Sequence, residues 1–430
     1  MSVDSSSSQR RSVVITGLGV VSPLGVGTET YWNGLLNLES GVRRLTHYEP
    51  EGMPVTFGGE VPDFDGKTYV RPRKALKVMS REIQFAFAAA DLAMQHAGLS
   101  LSNYEPERLG VVFCADMIYF DVNDITDAVL ACKQDGRYDF SHWADQGMPR
   151  VFPLWLLKYL PNMPACHIAI AHDARAACNS VVIGETSPLV AFAEGLRVIE
   201  RGLADVVLVG GTGYQTNTTN VVFRSAQETS KRDDDPPNAC RPFDLNRDGQ
   251  VYGEGAAALI LESAEHAAAC QAKPLAEVVA YAVRQEPRRT GQTLSGSAIR
   301  DALTGCLEQA GIGPEELSHV NAHGIGKRND DAMEAQAISD VVGRTPVWAI
   351  KGSLGNCGSA GGALELVADV LAMNARLLPA LRNVATPDPG CPINVYRPAA
   401  TPIEKSYSLK VGYAPTGQAA AVLLKVPQPS

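Results

Sequence analysis

The chain has 430 residues, of which 45% are hydrophobic and 20% charged, and its formal net charge is −9. That length supports one large or two medium cores, and the acidic balance excludes nucleic acid as a partner, which would require a positive surface. Nine scattered cysteines, odd in number and never in a C-x-x-C pair, exclude a disulfide framework or a zinc site and fit reduced thiols in the cytoplasm.

Residues 1–10 are polar and serine-rich, with nothing to bury, and are expected to form a disordered tail. Arg10-Arg11 precede an apolar run from Ser12 to Val21 that could be taken for a twin-arginine export signal. Its glycines and the lack of a small-residue cleavage site make it a first strand instead. No stretch approaches the ~20 uninterrupted apolar residues of a membrane span.

Further strand candidates are Val111–Phe113, Val181–Ile183, Asp205–Val209 and Ala256–Leu261. A second set comprises Leu275–Val283, His319–Asn321, Val347–Ile350, Ser408–Val411 and Ala420–Leu424. Between them, Leu76, Met79, Ile83, Phe87 and Ala90 recur at helical spacing and predict a helix from Arg73 to His96. Leu189, Phe192, Leu196 and Ile199 predict another from Thr186 to Arg201, with Gly202 as its stop. Alternating strands and helices imply an α/β fold with largely parallel sheets covered on both faces.

One internal echo stands out. Gly255–Glu262 reads Gly-Ala-Ala-Ala-Leu-Ile-Leu-Glu, and Gln418–Lys425 reads Gln-Ala-Ala-Ala-Val-Leu-Leu-Lys. With two similar strand sets, the echo suggests a duplicated unit, residues 11–265 and 266–430, joined by an alanine-rich connector near Ser263–Lys273.

The segment from Arg241 to Gly255 (RPFDLNRDGQVYGEG) imitates a calcium loop at Asp244, Asn246, Asp248 and Gly249, but Gly255 occupies the position of the required glutamate. It resembles instead the signature of the β-ketoacyl-acyl carrier protein synthases. The similarity spans nearly the whole chain, through Ile15–Gly25, Pro161–Met163, Ala204–Gly211, Asn321–Gly324 and Lys351. A dinucleotide reading of Gly17-x-Gly19 fails because Ser22 replaces the third glycine. The resemblance implies a thiolase-like fold: two duplicated α/β halves in five αβαβα layers, with the active site where they meet. It also implies a homodimer, or a heterodimer with a cysteine-containing ketosynthase. The substrate would be an acyl group on the phosphopantetheine arm of an acyl carrier protein, with no resident cofactor or metal.

In the family a nucleophilic cysteine sits at a strand-to-helix turn, where the helix N-terminus favours a thiolate. Gap-free counting forward from Pro161–Met163 and backward from Gly210-Gly211 both reach Glu185, so cysteine-dependent condensation is not expected. His323 matches the first family histidine. Lys351 is expected to pair with Glu334, while Asp331 and Glu334 have the spacing of a helix-opening capping box. Five residues after Lys351 the second histidine is replaced by Asn356, a candidate hydrogen-bond donor. Ile325 and Lys327 replace the threonines expected to contact the pantetheine arm. The glycine-rich gating loop reads Gly412-Tyr413-Ala-Pro-Thr-Gly417, and its proline removes a backbone donor.

Arg71, Arg73, Lys74 and Lys77, followed by Arg81, gather positive charge where family members dock the carrier protein. The aromatic stretch Tyr119–Trp155 is expected to serve core or dimer packing. Two readings follow: a non-condensing partner resembling a chain length factor, or an enzyme retaining decarboxylation or another acid-base step through Glu185 and His323. An acyl-binding homologue is a third.

Overall fold

The computed structural model describes residues 11–116, 120–223, 228–287, 292–395 and 399–426; the expected tail and Tyr119 lie outside them. The first half contributes β1 (Val13–Ser22), β2 (Leu109–Ala115), β3 (Cys178–Asn179), β4 (Val206–Tyr214) and β5 (Glu254–Ser263). The second contributes β6 (Ala276–Gln285), β7 (Leu317–Asn321), β8 (Val347–Trp348), β9 (Tyr407–Tyr413) and β10 (Gln418–Lys425). Their order in space is β8-β7-β9-β10-β6-β1-β5-β4-β2-β3, with Gly25–Val26 hairpinned onto β1.

Outward from the β1–β6 junction, each half repeats the same ladder: antiparallel, antiparallel, parallel, parallel. In the first half these are β1/β5, β5/β4, β4/β2 and β2/β3. In the second they are β6/β10, β10/β9, β9/β7 and β7/β8. The echoing segments are the equivalent strands β5 and β10, each the last of its half. Each last strand inserts beside the first and runs against it. The sheet is therefore mixed, where the alternation of elements predicted a largely parallel one.

Five principal helices complete the layers: α1 (Arg81–His96), α2 (Ser187–Glu200), α3 (Ser297–Ala310), α4 (Arg328–Val342) and α5 (Gly361–Ala375). α1 covers the outer face of the first half, and α3, backed by α4, covers that of the second. α2 and α5 pack on each other and on strands of both halves, forming the middle layer. The chain crosses between halves through a short helix, Ala264–Ala269, after which β6 meets β1 at Val14↔Glu277 and Ile15↔Ala276. Among the described residues no helix is long and apolar enough to cross a membrane.

Three local expectations are corrected. The predicted helix from Arg73 breaks: Arg73–Val78 is a 3-10 turn, Met79 is extended, and the Ser80 side chain caps α1 by accepting from the Ile83 amide. Val181–Ile183 is not a strand, because the chain has left the sheet to reach the turn at Gly184; the edge strand lies upstream at Cys178–Asn179. In the aromatic stretch, Phe140 is 71% exposed and Tyr138 and Phe152 are also exposed, so of the two roles expected there, core packing is corrected for these rings and dimer packing is not.

Gly17 and Gly19 have a packing role. A Cβ on Gly19 would lie 1.9 Å from the Ala89 carbonyl of α1, and one on Gly17 would lie 2.4 Å from that of Ala93. The strand and helix touch through backbone, which only glycine on one side and alanine on the other allow. Gly19→Val should therefore destabilise the fold by at least about 1–3 kcal/mol, read as a lower urea midpoint; an unchanged midpoint would mean that α1 lifts away without cost.

Candidate active site

The first half supplies a turn and the second a cage. Gly184 takes φ +81°, in the left-handed region glycine tolerates, and Gly184–Thr186 forms one 3-10 turn leading into α2. The Ile183 amide donates to the Ser187 hydroxyl at 2.8 Å, closing the turn. Glu185 sits half-buried on it, at the positive end of the α2 dipole. Behind the turn, the Ser359 hydroxyl lies 2.7 Å from Asp116 and 3.1 Å from the Gly184 carbonyl, while Gln215 donates to Asp116 at 2.5 Å.

His323 follows β7 and is 3% exposed. Glu334 accepts the amides of His323 and Gly324, and Asp331 accepts those of Ile325 and Gly326 at 3.0 Å and that of Phe243 at 2.8 Å. Both carboxylates reach back from within α4 to fold the loop after β7. The helix-opening role is thus corrected: Lys327 precedes α4 and the two acids lie inside it. Burial pushes Asp331 up to about 6 and Glu334 up to about 7, against the pull of these amides.

Lys351 does not pair with Glu334. Its ammonium is bonded to Glu365 on α5, to the His323 carbonyl at 2.7 Å and to His323 Nδ1 at 3.1 Å. Glu334 is occupied by backbone amides, which leaves Glu365 as the lysine's anion. Lys410 on β9 meets the other Glu365 oxygen at 2.8 Å and donates to the Asn321, Ala322 and Val411 carbonyls. Burial pushes the Glu365 carboxyl up, but the two lysines outweigh it and hold the group below its usual value. Burial, then Lys351, Lys410 and Lys327, drives His323 well below its ordinary range, so the imidazole is neutral. With Nδ1 accepting from Lys351, Nε2 carries the proton and is the donor available to a ligand.

Gly412 and Tyr413, expected in a mobile gate, are buried residues of β9, paired with Ala420 and Ala419 of β10. The turn itself is Ala414–Gly417. The Tyr413 ring stands edge-on to His323, centroids 4.9 Å apart, and its buried hydroxyl has no hydrogen-bond partner among the described residues. Asn356 is buried, but its amide donates to Gln250 at 3.0 Å and its oxygen accepts from the Gly358 amide at 3.2 Å. These contacts brace the loop after Lys351. Arg71, Arg73, Lys74 and Lys77 are exposed on or beside the 3-10 turn ahead of α1. Lys327 bonds Glu228 across a surface cleft lined also by Leu294, Asp330, Met333 and Pro415.

Sequence reasoning missed Glu365, Lys410, Asp116 and Ser359. A signal existed for the first two: Lys410 is the one charge in an apolar strand, and Glu365 shares an otherwise apolar helix with only Asp369, a pattern that burial permits only with partners. Among the described residues no group of histidine, cysteine, aspartate and glutamate side chains could hold a metal ion.

Comparison with known proteins matches residues 10–267 to the family model of the β-ketoacyl synthase N-terminal domain and residues 275–385 to that of its C-terminal domain. A Streptomyces cyaneus protein provisionally named polyketide β-ketoacyl synthase 1 is 34% identical over 97% of this chain and 98% of its own. The 3-oxoacyl-[acyl-carrier-protein] synthase 2 of Synechocystis is 31% identical over 90% of this chain and 91% of its own. Among solved structures, the ishigamide ketosynthase/chain length factor superimposes with a TM-score of 0.83 at 28% identity, covering 98% of this chain and 100% of its own.

Asp116 gives the site a pH dependence. Burial pushes its carboxyl up to about 6 and the Glu185 charge adds to this, while hydrogen bonds from Ser359 and Gln215 oppose it. A carboxyl raised in the fold favours folding while protonated, and that contribution is lost as pH rises from about 4, its unfolded value, through 6. Asp116→Asn lacks this term. Its Tm should therefore gain on wild type between pH 5 and pH 8, by differential scanning fluorimetry; a gap that stays constant would place the Asp116 titration outside this range.

Proposed function

The chain belongs to the β-ketoacyl synthase family, and from that membership we propose that it is a non-condensing subunit of fatty-acid or polyketide synthesis. Its role resembles that of a chain length factor, facing acyl or malonyl groups on the phosphopantetheine arm of an acyl carrier protein. The observation that carries this reading is Glu185 on the turn at the head of α2. A carboxylate attacking a thioester would give a mixed anhydride, higher in energy than the thioester it replaced.

Neither Cys114 nor Cys357 stands in for the missing nucleophile. Cys114 and Cys357 are buried with their sulfurs turned to the Ser359 and Glu254 carbonyls, and burial pushes both thiols up. Cys178 is exposed on the edge strand β3. That edge supports a partner subunit. β3 touches the helix Met163–Ala171, which touches the turn Trp155–Tyr159, and Ile170, Val182 and Leu156 are exposed around them. An open strand edge flanked by apolar side chains is a surface that assembly covers. A cysteine-containing ketosynthase or a second copy of this chain would fit it.

A second reading, decarboxylation of malonyl-carrier protein, is favoured by the neutral His323 with its Nε2 proton. Such a donor at a developing enolate oxygen is worth about 3 kcal/mol, or roughly a hundredfold in rate. The Glu185 carboxylate, on a turn that contacts β9, opposes a malonyl carboxylate.

Two sets of measurements test these readings, the first of acylation and decarboxylation. The purified chain should form no acyl adduct with acyl-carrier protein or cerulenin, and should decarboxylate malonyl-carrier protein slowly or not at all. Glu185→Gln should speed decarboxylation, and His323→Ala should abolish it in both backgrounds. Stoichiometric acylation by intact mass, or brisk turnover that Glu185→Gln slows, would overturn the non-condensing reading.

The second concerns docking. Lys74 and Lys77 lie exposed on a turn that contacts Trp155–Tyr159. Carrier-protein binding should weaken with salt, which screens exposed charges within about 8 Å at physiological ionic strength. The double change Lys74→Glu, Lys77→Glu should lower affinity by titration calorimetry without lowering Tm; unchanged affinity would place docking on another face.

A further inference from the structure

Far along the sequence from Glu185 and His323, where β5 passes into the connector helix Ala264–Ala269, three side chains stand in line: Glu262, His266 and Cys270. Their spacing of four residues places them on one side of the chain as it winds into the helix. Glu262 is fully buried; one oxygen accepts from the Thr16 hydroxyl and the other lies 2.6 Å from His266 Nδ1. On the far side of the ring, His266 Nε2 lies 3.7 Å from Cys270 Sγ. His266 and Cys270 are half-buried, so the line runs from a sealed carboxylate outward to a reachable sulfur.

Each member has the role its chemistry suits. A carboxylate only accepts, so Nδ1 carries a proton and Nε2 of the neutral ring presents its lone pair to the sulfur. The carboxylate fixes ring and tautomer and makes the imidazole a stronger base; the Glu262 hydrogen bond is the main cause that raises His266 above its ordinary value. At rest the thiol donates to the Asn103 carbonyl at 3.5 Å, which holds the sulfur beside the ring. Nucleophile, base and orienting carboxylate are the arrangement that activates a weak nucleophile.

We propose that Cys270 is a base-assisted nucleophilic thiol, a modification site for small disulfides of the glutathione class. His266 Nε2 takes the Cys270 proton as the sulfur attacks one sulfur of the disulfide. A bond forms between Cys270 Sγ and that sulfur, the original S–S bond breaks, and the departing thiolate takes the proton from His266 and leaves as a thiol. One disulfide is consumed and one mixed disulfide is formed; a free thiol reverses the step.

Cys178 is the internal reference, being the more exposed thiol of the single chain, with burial of its base and the nearby Cys166 pushing it up; the comparison is made on the monomer fraction, because assembly through β3 would cover it. The full chain is treated with limiting iodoacetamide, and separately with glutathione disulfide, and each cysteine is followed by peptide mass. Cys270 should react faster than Cys178 with both reagents, and dithiothreitol should release the glutathione adduct. His266→Gln should slow Cys270 by about tenfold or more while leaving the Cys178 rate unchanged and the buried Cys114 and Cys357 protected, which reports that the variant is folded. The proposal fails if Cys270 reacts no faster than Cys178, if His266→Gln leaves it equally fast, or if glutathione adds elsewhere.

Discussion

The site depends on one buried carboxylate between two buried ammonium groups. Glu365 is 1% exposed, and Lys351 and Lys410 are no more exposed than that. Removing one partner of such a group typically costs about 3–5 kcal/mol, because an uncompensated charge is left in low dielectric. The three residues come from α5, β9 and the segment after β8, so their attraction ties the middle helix layer to the second half of the sheet. It also reaches the chemistry. The hydrogen bond from Lys351 to His323 Nδ1 selects the tautomer, and burial, with the positive charge of both lysines added to it, keeps the imidazole neutral.

The segment from Arg241 to Gly255 performs a related task between halves. Arg247, 1% exposed, donates to Asp388 at 2.6 Å and to the Arg328 carbonyl at 2.7 Å, while Asp244 accepts the amides of Ala385 and Thr386. The Phe243 amide ends on Asp331, which also holds the loop after His323. A first-half segment thereby sets the shape of a second-half loop. Its charged residues, spaced like calcium ligands, find their partners in protein.

The duplication was legible because the central residues of the echoing strands, Ala256–Leu261 and Ala419–Leu424, are buried, and in both strands they are all alanine, leucine, isoleucine or valine. That Glu185 falls on a turn at the head of α2 was legible because the helical spacing of apolar residues begins just after it. The partner of Lys351 was not: Glu334 and Glu365 both lie within reach along the chain, and only the fold decides which faces the lysine and which the amides. The loop nature of Gly412 and Tyr413 was misread for a similar reason, since glycine and proline mark a turn without telling how far the flanking ladder extends into it. Asp116, at the end of an apolar strand, gave no periodic signal at all.

The two halves end differently. The ladders are equivalent strand by strand, and each terminates in a two-residue strand, yet Cys178 and Asn179 of β3 are exposed while Val347 and Trp348 of β8 are buried. The outer side of β8 is occupied by this chain, where the Val347 amide donates to the Asn394 carbonyl. The sheet can therefore be extended at one end only. Two chains joined through that end by a twofold axis use up each other's free edge, and a third finds none. Growth by strand pairing at that end would stop at two chains and give no filament.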